Sequence, residues 1–355
     1  MKNLLLKLYE TNSLTKDELL YLLTNIDKEY EKELFRLSDL TRRKYYSNKV
    51  YFRGLIEFSN HCKNTCKYCG LRSQNKNVER YRLNTQEILD CCDNGYKMGL
   101  RTFVLQSGED GYFTEDILED IAKRIKDKFP DVALTCSIGE KSKACYEKMF
   151  NAGADRFLLR HESANKNLYE GLHPNMSFEN RLKCLKNLKS IGYQAGSGFI
   201  VGLPNQTDEI IAEDLLLLKN LDLQMVGVGP FVPQSDTPLY DCESGSSNKT
   251  LICLAIVRLL LPKTLIPATT ALAVVSKDGW INGVKIAANV IMLNLSPPSA
   301  KDKYRIYDGK NLLLDSAKES LSSTISKLNR EGFVADMIKG NYPDWERNDN
   351  YEYNA

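Results

Sequence analysis

Three cysteines, Cys62, Cys66 and Cys69, stand in the stretch Cys62-Lys63-Asn64-Thr65-Cys66-Lys67-Tyr68-Cys69-Gly70. Three thiolates at this spacing on a loop can hold three corners of a four-iron cluster and leave the fourth iron without a protein ligand. That open iron is a place for chemistry. Two plainer sites use the same residue types. A zinc site needs four Cys or His ligands in a closed shell, and His61, beside Cys62, is available as a fourth. Adjacent residues of an extended segment point in opposite directions, however, which works against His61 and Cys62 sharing one ion. A plain electron-transfer cluster needs a fourth cysteine, and the next are the Cys91-Cys92 pair on an expected helix.

Such a loop must be presented by a rigid frame. Short apolar runs fall at residues 54–58, 102–106, 133–137, 156–160, 194–201, 225–231, 265–270 and 288–293, separated by amphipathic segments such as 116–128, 178–191 and 208–221. Eight strand–helix units in a row predict an α/β fold, a full (β/α)8 TIM-type barrel, whose reactive groups sit on loops at the C-terminal ends of the strands. Ahead of it, Ser13-Leu14-Thr15-Lys16-Asp17-Glu18 opens a helix with a capping-box arrangement, and a second charged helix spans about 27–45. The expected division is an N-terminal helical cover over 1–50, the barrel over 51–310, and a C-terminal helix and polar tail over 311–355, frayed at 348–355.

Several polar groups fall just after the expected strands. Gln106-Ser107-Gly108-Glu109-Asp110 is a small-residue turn followed by carboxylates, able to let backbone approach an ammonium group and supply acceptors to it. Arg160-His161-Glu162 sets a cation, an imidazole and an anion at the barrel mouth, with Arg181 opening the buried face of the next helix. Arg160 is suited to a carboxylate held bidentately, and Glu162 and Arg181 to hydroxyl and carboxylate groups. The plainer role of these side chains is an ion pair that fixes loops. The stretch from Gly196 to Pro204 lacks a nucleotide-loop pattern and reads as a strand that packs an adenine ring. Thr269 and Thr270 supply hydroxyls after strand seven, Met292 ends strand eight, and Tyr304 and Tyr307 follow. Singly, each of these is more often packing than ligand. His173, before Pro174, is expected in a turn and not on a metal.

The composition narrows the rest. The formal charge of +2, with lysine and glutamate spread along the chain, gives no reason to expect nucleic acid. No apolar run approaches the roughly 18 residues of a membrane span, and residues 1–9 lack a signal-peptide core. The ten cysteines accordingly read as reduced thiols of a cytoplasmic protein.

Tyr68, just before the last cysteine, is typical of the radical S-adenosylmethionine (SAM) loop, in which the open iron chelates the amino and carboxylate groups of SAM. Beyond the loop, Leu71-Arg72, Asn75-Lys76-Asn77, Arg80-Tyr81-Arg82, the segment from Val104 to Asp110, Leu159-Arg160-His161-Glu162, Val201-Gly202-Leu203-Pro204, Gly229-Pro230-Phe231, Ile266-Pro267-Ala268-Thr269-Thr270 and Ala288-Asn289-Val290-Ile291-Met292 together resemble the HydE family of [FeFe]-hydrogenase maturases. The resemblance spans about residues 53–307, and the 106–110 and 160–162 blocks separate it from the related biotin and methylornithine synthases. It implies one [4Fe–4S] cluster on Cys62, Cys66 and Cys69, with Tyr68, Gln106, Ser107, Gly108, Glu109, Glu162, Arg181, Met292 and Tyr304 at the SAM site. Arg53, Thr135, Arg160, Thr269, Thr270 and Tyr307 would line a substrate cavity.

It further implies reductive cleavage of SAM to a 5′-deoxyadenosyl radical that acts on the cysteine sulfur of an iron complex carrying carbon monoxide, cyanide and cysteine. The implied partners are the maturases HydG and HydF and an electron donor such as ferredoxin or flavodoxin. One departure stands out. Some family members bind a second cluster on three cysteines near the C-terminus, but here no cysteine follows Cys253. The alternatives are a radical SAM mutase or synthase acting on an amino acid, in the manner of methylornithine synthase, and an iron–sulfur electron carrier or scaffold.

Overall fold

The computed structural model describes residues 1–310 and 317–347, so the expected fraying of 348–355 lies outside the described residues. The chain begins with three helices, α1 (Lys2–Thr11), α2 (Lys16–Asn25) and α3 (Lys28–Tyr46). The capping box at the start of α2 is formed: Thr15 Oγ1 accepts from Glu18 N at 3.2 Å, and Glu18 Oε2 accepts from Thr15 N at 2.9 Å. Asp27 caps α3 with its side chain alone, taking the backbone N–H groups of Glu29 and Tyr30.

The strands follow as β1 (Lys49–Ser59), β2 (Thr102–Ser107), β3 (Ala133–Ser137), β4 (Ala154–Leu158), β5 (Gln194–Ser197), β6 (Ile200–Val201), β7 (Met225–Val226), β8 (Gly229–Pro230), β9 (Val290–Asn294) and β10 (Val334–Asp336). Between and after them run α4 (Thr85–Lys97), α5 (Glu115–Lys128), α6 (Lys143–Asn151), α7 (Lys166–Leu172), α8 (Phe178–Ile191), α9 (Asp208–Leu221), α10 (Ser247–Leu260), α11 (Thr270–Val275), α12 (Gly279–Ile286), α13 (Pro298–Lys301) and α14 (Ala317–Arg330). The N-terminal helices cover one side of this layer, α2 packing on α9 and α3 on α10 and α12. None of the described helices is long and apolar enough to cross a membrane.

All pairings among the named strands are parallel, in the order β1-β2-β3-β4-β5-β7, with β9 on the other side of β1. The strands are buried along most of their length, as apolar runs wrapped by helices on the outside must be. The seventh expected strand, 265–270, is not a regular strand. It spans the gap from β7 to β9 through two isolated bridges, Met225 to Leu265 and Pro267 to Val290. The expected runs 194–201 and 225–231 are each broken in two. At Gly198 a Cβ would fall 1.8 Å from the carbonyl oxygen of Gly227, so the chains touch backbone to backbone where the sheet splays into the small β6–β8 pair.

The C-terminal part is more than helix and tail. β10 pairs with Lys49, Val50 and Tyr51 at the start of β1, and the residues after it cross the N-terminal end of the sheet. There Arg156 Nη2 donates to Lys339 O at 2.7 Å, Thr102 Oγ1 donates to the same carbonyl at 2.9 Å, and Tyr342 N donates to Gln194 Oε1 at 2.8 Å. The strands' C-terminal ends are left to form the site.

Candidate active site

β1 hands the chain into the cysteine loop, and the loop is pinned from three sides. Arg80 gathers carbonyls, its Nη1 donating to Leu71 O at 2.9 Å and its Nη2 to Arg72 O at 2.8 Å, a use of the planar five-donor fork that lysine lacks. Gly70 N donates to Ile306 O at 3.1 Å and Lys67 N to Leu172 O at 2.9 Å. The Tyr68 hydroxyl reaches His173. His173 is thus buried and anchors the loop.

Cys62, Cys66 and Cys69 are half-buried free thiols that face one cavity. Burial raises the pKa of all three: Cys69 is pushed up to about 12, and Cys66 is held well above the ordinary thiol value by burial and by the neighbouring Cys69 and Cys62. Thiolates that disfavour one another's charge in this way are stable only against a cationic partner, which is what an iron–sulfur cluster provides. The residues therefore fit such a group. His61, considered above as a zinc ligand, has burial and the charges of Arg82 and Asp110 as its surroundings. Cys91 and Cys92 are buried in α4, away from the loop.

β2 ends against this loop. A Cβ on Gly108 would lie 2.3 Å from His61 O and 2.7 Å from Cys62 Cβ, so only glycine allows the turn to approach. Glu109 does not line the cavity. Its carboxylate lies just behind, accepting from Glu140 N at 2.8 Å, with Lys63 at 3.6 Å and Arg181 at 4.0 Å. Asp110 faces away and pairs with Arg82 at 2.7 Å.

The cavity holds about 500 Å³ inside the mouth of the sheet. The three cysteines, Tyr68, Gln106, Ser107, Gly108, Glu162, Arg181, Met292 and Tyr304 line it, and so do Arg160, Thr269, Thr270 and Tyr307. Arg181 donates to Glu140 at 2.7 Å and to Arg160 O at 2.6 Å; burial works against its charge, but Tyr169, Glu140 and Glu109 raise its pKa. Arg160 Nη2 donates to Phe199 O at 2.7 Å and lies 3.0 Å from Glu162 Oε2, which has no hydrogen-bond geometry to it. Glu162 has φ of 62°, a left-handed conformation that costs a non-glycine residue about 1–3 kcal/mol and is concentrated at functional sites. Arg160 Nε, Glu162 Oε2 and Thr269 Oγ1 are buried without hydrogen-bond partners. Arg53 and Thr135 lie deeper, off the cavity wall. Arg53 Nε and Nη2 and Thr135 Oγ1 are also without partners, and burial and Arg156 lower the Arg53 pKa well below its ordinary value.

A sequence profile of the radical SAM superfamily matches residues 56–218. The chain is 45% identical over 306 residues to the [FeFe] hydrogenase maturase subunit HydE of Thermotoga maritima, covering 86% of this chain and 87% of that one. The chain belongs to the HydE family. It is a radical SAM enzyme. This HydE-family chain is also 30% identical to 3-methylornithine synthase of Methanosarcina acetivorans, over 92% of this chain and 91% of that one. Among solved structures it is similar to methylornithine synthase (PylB), at a TM-score of 0.82 and 27% identity over 94% of this chain and 97% of that one. The maturase HydG from Carboxydothermus hydrogenoformans, at 0.80 and 21% identity over 95% and 79%, shares the fold.

The HydE-family site also contains a buried carboxylate that the sequence reading passed over. Glu57 is fully buried in β1, lines the cavity, accepts from Asn294 Nδ2 at 2.9 Å and pairs with Lys310. A carboxylate in the apolar run Leu55-Ile56-Glu57-Phe58 was the available signal, because a buried charge demands a partner. Tyr304 and Tyr307 are carried on the 302–310 strap, which Tyr307 ties to Thr270. Ile200 and Phe231 supply an apolar wall.

Proposed function

We propose that this chain is a hydrogenase maturase whose Cys62, Cys66 and Cys69 hold one [4Fe–4S] cluster completed by SAM. When bound, the cluster supplies the electron that breaks a sulfonium carbon–sulfur bond of SAM. The resulting 5′-deoxyadenosyl radical acts on the cysteine sulfur of an iron–carbonyl–cyanide–cysteine precursor of the diiron subcluster. HydG and HydF are the partner maturases, and a reducing cytoplasm is the setting that suits half-buried free thiols.

Gln106, Ser107 and Gly108 present the end of β2 to the SAM amino group, with Glu109 held behind them. Glu162 and Arg181 take its hydroxyl and carboxylate groups, Met292 and Tyr304 close the apolar side, and Tyr68 braces the loop. Arg160 anchors a substrate carboxylate, Thr269, Thr270 and Tyr307 shape the space around it, and Arg53 and Thr135 lie beneath. The observation that carries this reading is the cavity itself. Thiols line it, and Arg160 Nε and Thr269 Oγ1, buried without partners, lie on its wall. Buried donors left bare cost about 1–3 kcal/mol each, and a polar substrate removes that cost.

The test is anaerobic reconstitution followed by two assays: 5′-deoxyadenosine formation, and activation of apo-hydrogenase in the presence of HydG and HydF. Both activities are expected. The 30% identity to 3-methylornithine synthase favours one rival, an amino-acid mutase. Turnover of lysine without hydrogenase activation would establish that rival instead. A reduced, cluster-loaded protein that leaves SAM intact would be an electron carrier or scaffold.

A further inference from the structure

Charge is not spread evenly along this chain. Residues 61–82 contain Lys63, Lys67, Arg72, Lys76, Arg80 and Arg82 against the single carboxylate of Glu79, a net of +5 in a protein whose formal charge is +2. The even distribution expected from the sequence as a whole fails in the segment that carries the cysteines.

Little within the structure neutralises this excess. Glu79 is taken by Lys303, a cation from outside the segment. Lys63 and Arg82 use Glu109 and Asp110. Arg72 and Arg80 are spent on carbonyl groups and on Gln74. Lys67, Lys76 and Arg305 have no carboxylate partner among the described residues, and Lys76 and Arg305 are exposed. Arg305 belongs to the same face, since its carbonyl oxygen lies against Gly70 and the next residue accepts from Gly70 N. Asp236 borders the face through Asn77 at 2.6 Å and leaves the excess positive.

The position of this face matters as much as its charge. The cysteines are half-buried, so the loop that holds them has the cavity on one side and solvent on the other. SAM cleavage takes one electron per molecule: the donor is oxidised by one electron, and the carbon–sulfur bond breaks to methionine and an adenosyl radical. That electron must enter from outside the cavity, by the shortest route to the thiols.

Resting on the radical SAM reading above, we infer that the outer face of the cysteine loop, with Lys67, Lys76 and Arg305 at its rim, is the docking surface for a small acidic one-electron carrier protein. Complementary charge on the two partners raises the encounter rate by about 10- to 1,000-fold at low salt and falls away once the Debye length shrinks. A nucleic acid would also be drawn to basic charge, but among the described residues no aromatic side chain is offered there for base stacking. Tyr68 is turned inward to His173 and Tyr81 to the Glu57 carbonyl.

The test uses the reconstituted enzyme with an acidic flavodoxin as probe, in the wild type and the double variant Lys76→Glu/Arg305→Glu. Calorimetric binding of oxidised flavodoxin, which involves no turnover, should weaken about tenfold in the variant at about 0.05 M salt, and the two should converge near 0.5 M. SAM cleavage driven by reduced flavodoxin should slow in parallel, while cleavage driven by dithionite should be equal in both, which also shows the variant intact. The neutralising pair Lys76→Gln/Arg305→Gln should fall between. Unchanged flavodoxin affinity in the charge-reversal variant would overturn the inference, and so would tighter binding of a DNA duplex than of flavodoxin. Failure of the wild type to cleave SAM with dithionite would sink the enzymatic reading alone, since flavodoxin binding is scored without turnover.

Discussion

The hydroxyl of Tyr68 lies 2.8 Å from Nε2 of His173, across 105 residues of sequence. On its other side the imidazole places Nδ1 2.6 Å from the carbonyl oxygen of Tyr169, so Nδ1 carries the proton and Nε2 accepts from the tyrosine. This arrangement holds the residue before Cys69 only while His173 is neutral. Burial lowers the His173 pKa from 6.5 to about 4. Between those values the unfolded chain binds more protons than the folded one. The stability due to neutral His173 is therefore complete above about pH 6.5 and falls as the pH drops towards 4, by up to about 3 kcal/mol. Denaturant unfolding from pH 7.5 to 4 should show this slope, and His173→Gln should flatten it; an unchanged slope would remove His173 as its source.

Replacing Cys62, Cys66 or Cys69 by alanine should each abolish the bound cluster, because three ligands to one group fail as a unit. Iron content, the visible absorption of the reconstituted protein and 5′-deoxyadenosine formation report the loss. Single alanine variants of Cys91, Cys92, Cys136, Cys145, Cys184 and Cys253, all buried, should retain the cluster and show only a packing cost of about 1–2 kcal/mol. Full SAM cleavage by a Cys66→Ala protein would contradict the assignment.

Arg160→Ala should weaken substrate binding by about 2–5 kcal/mol, since a carboxylate in the cavity loses its partner, while SAM affinity stays near that of the wild type. Arg160→Lys keeps the charge but loses the fork, and should recover only part of the loss. SAM affinity, uncoupled SAM cleavage and hydrogenase activation measured together separate the roles. Loss of all three along with the cluster would make Arg160 a structural partner of Glu162.

Gly108→Ala places a methyl group where His61 O and Cys62 Cβ already lie. Overpacking of this kind costs about 1–3 kcal/mol. Because the strain falls on the first cysteine, cluster retention and SAM affinity should drop more than thermal stability does. A variant with lowered melting temperature and normal cluster content would reverse that expectation.

Much of the frame was legible from residue patterns because barrel strands are buried on both faces and stand out as apolar runs bounded by polar loops. Residues 265–270 were legible as an apolar run but not as two isolated bridges, since periodicity reports burial and not how many backbone pairs form. The break at Gly198 depends on Gly227, 29 positions away, and no local signal carries it. In the site, the cysteine spacing singled out one loop, and the structure turns its three thiols to one cavity, whereas the Glu57–Lys310 pair and the Tyr68–His173 anchor join residues that only the fold brings together. Glu109, expected at the SAM site, stands behind the cavity wall, because Glu140 N and Arg181 draw its carboxylate back.

The strand that covers the N-terminal end of the sheet has a bearing on the order of events during synthesis. Asn48, at the entry to β1, is bonded to Gly332, 284 residues later. The cysteine loop leaves the ribosome near the start of this interval and the last strand near its end. Contacts of such high sequence separation form late and slowly. The thiols are therefore made long before the far end of the sheet is sealed.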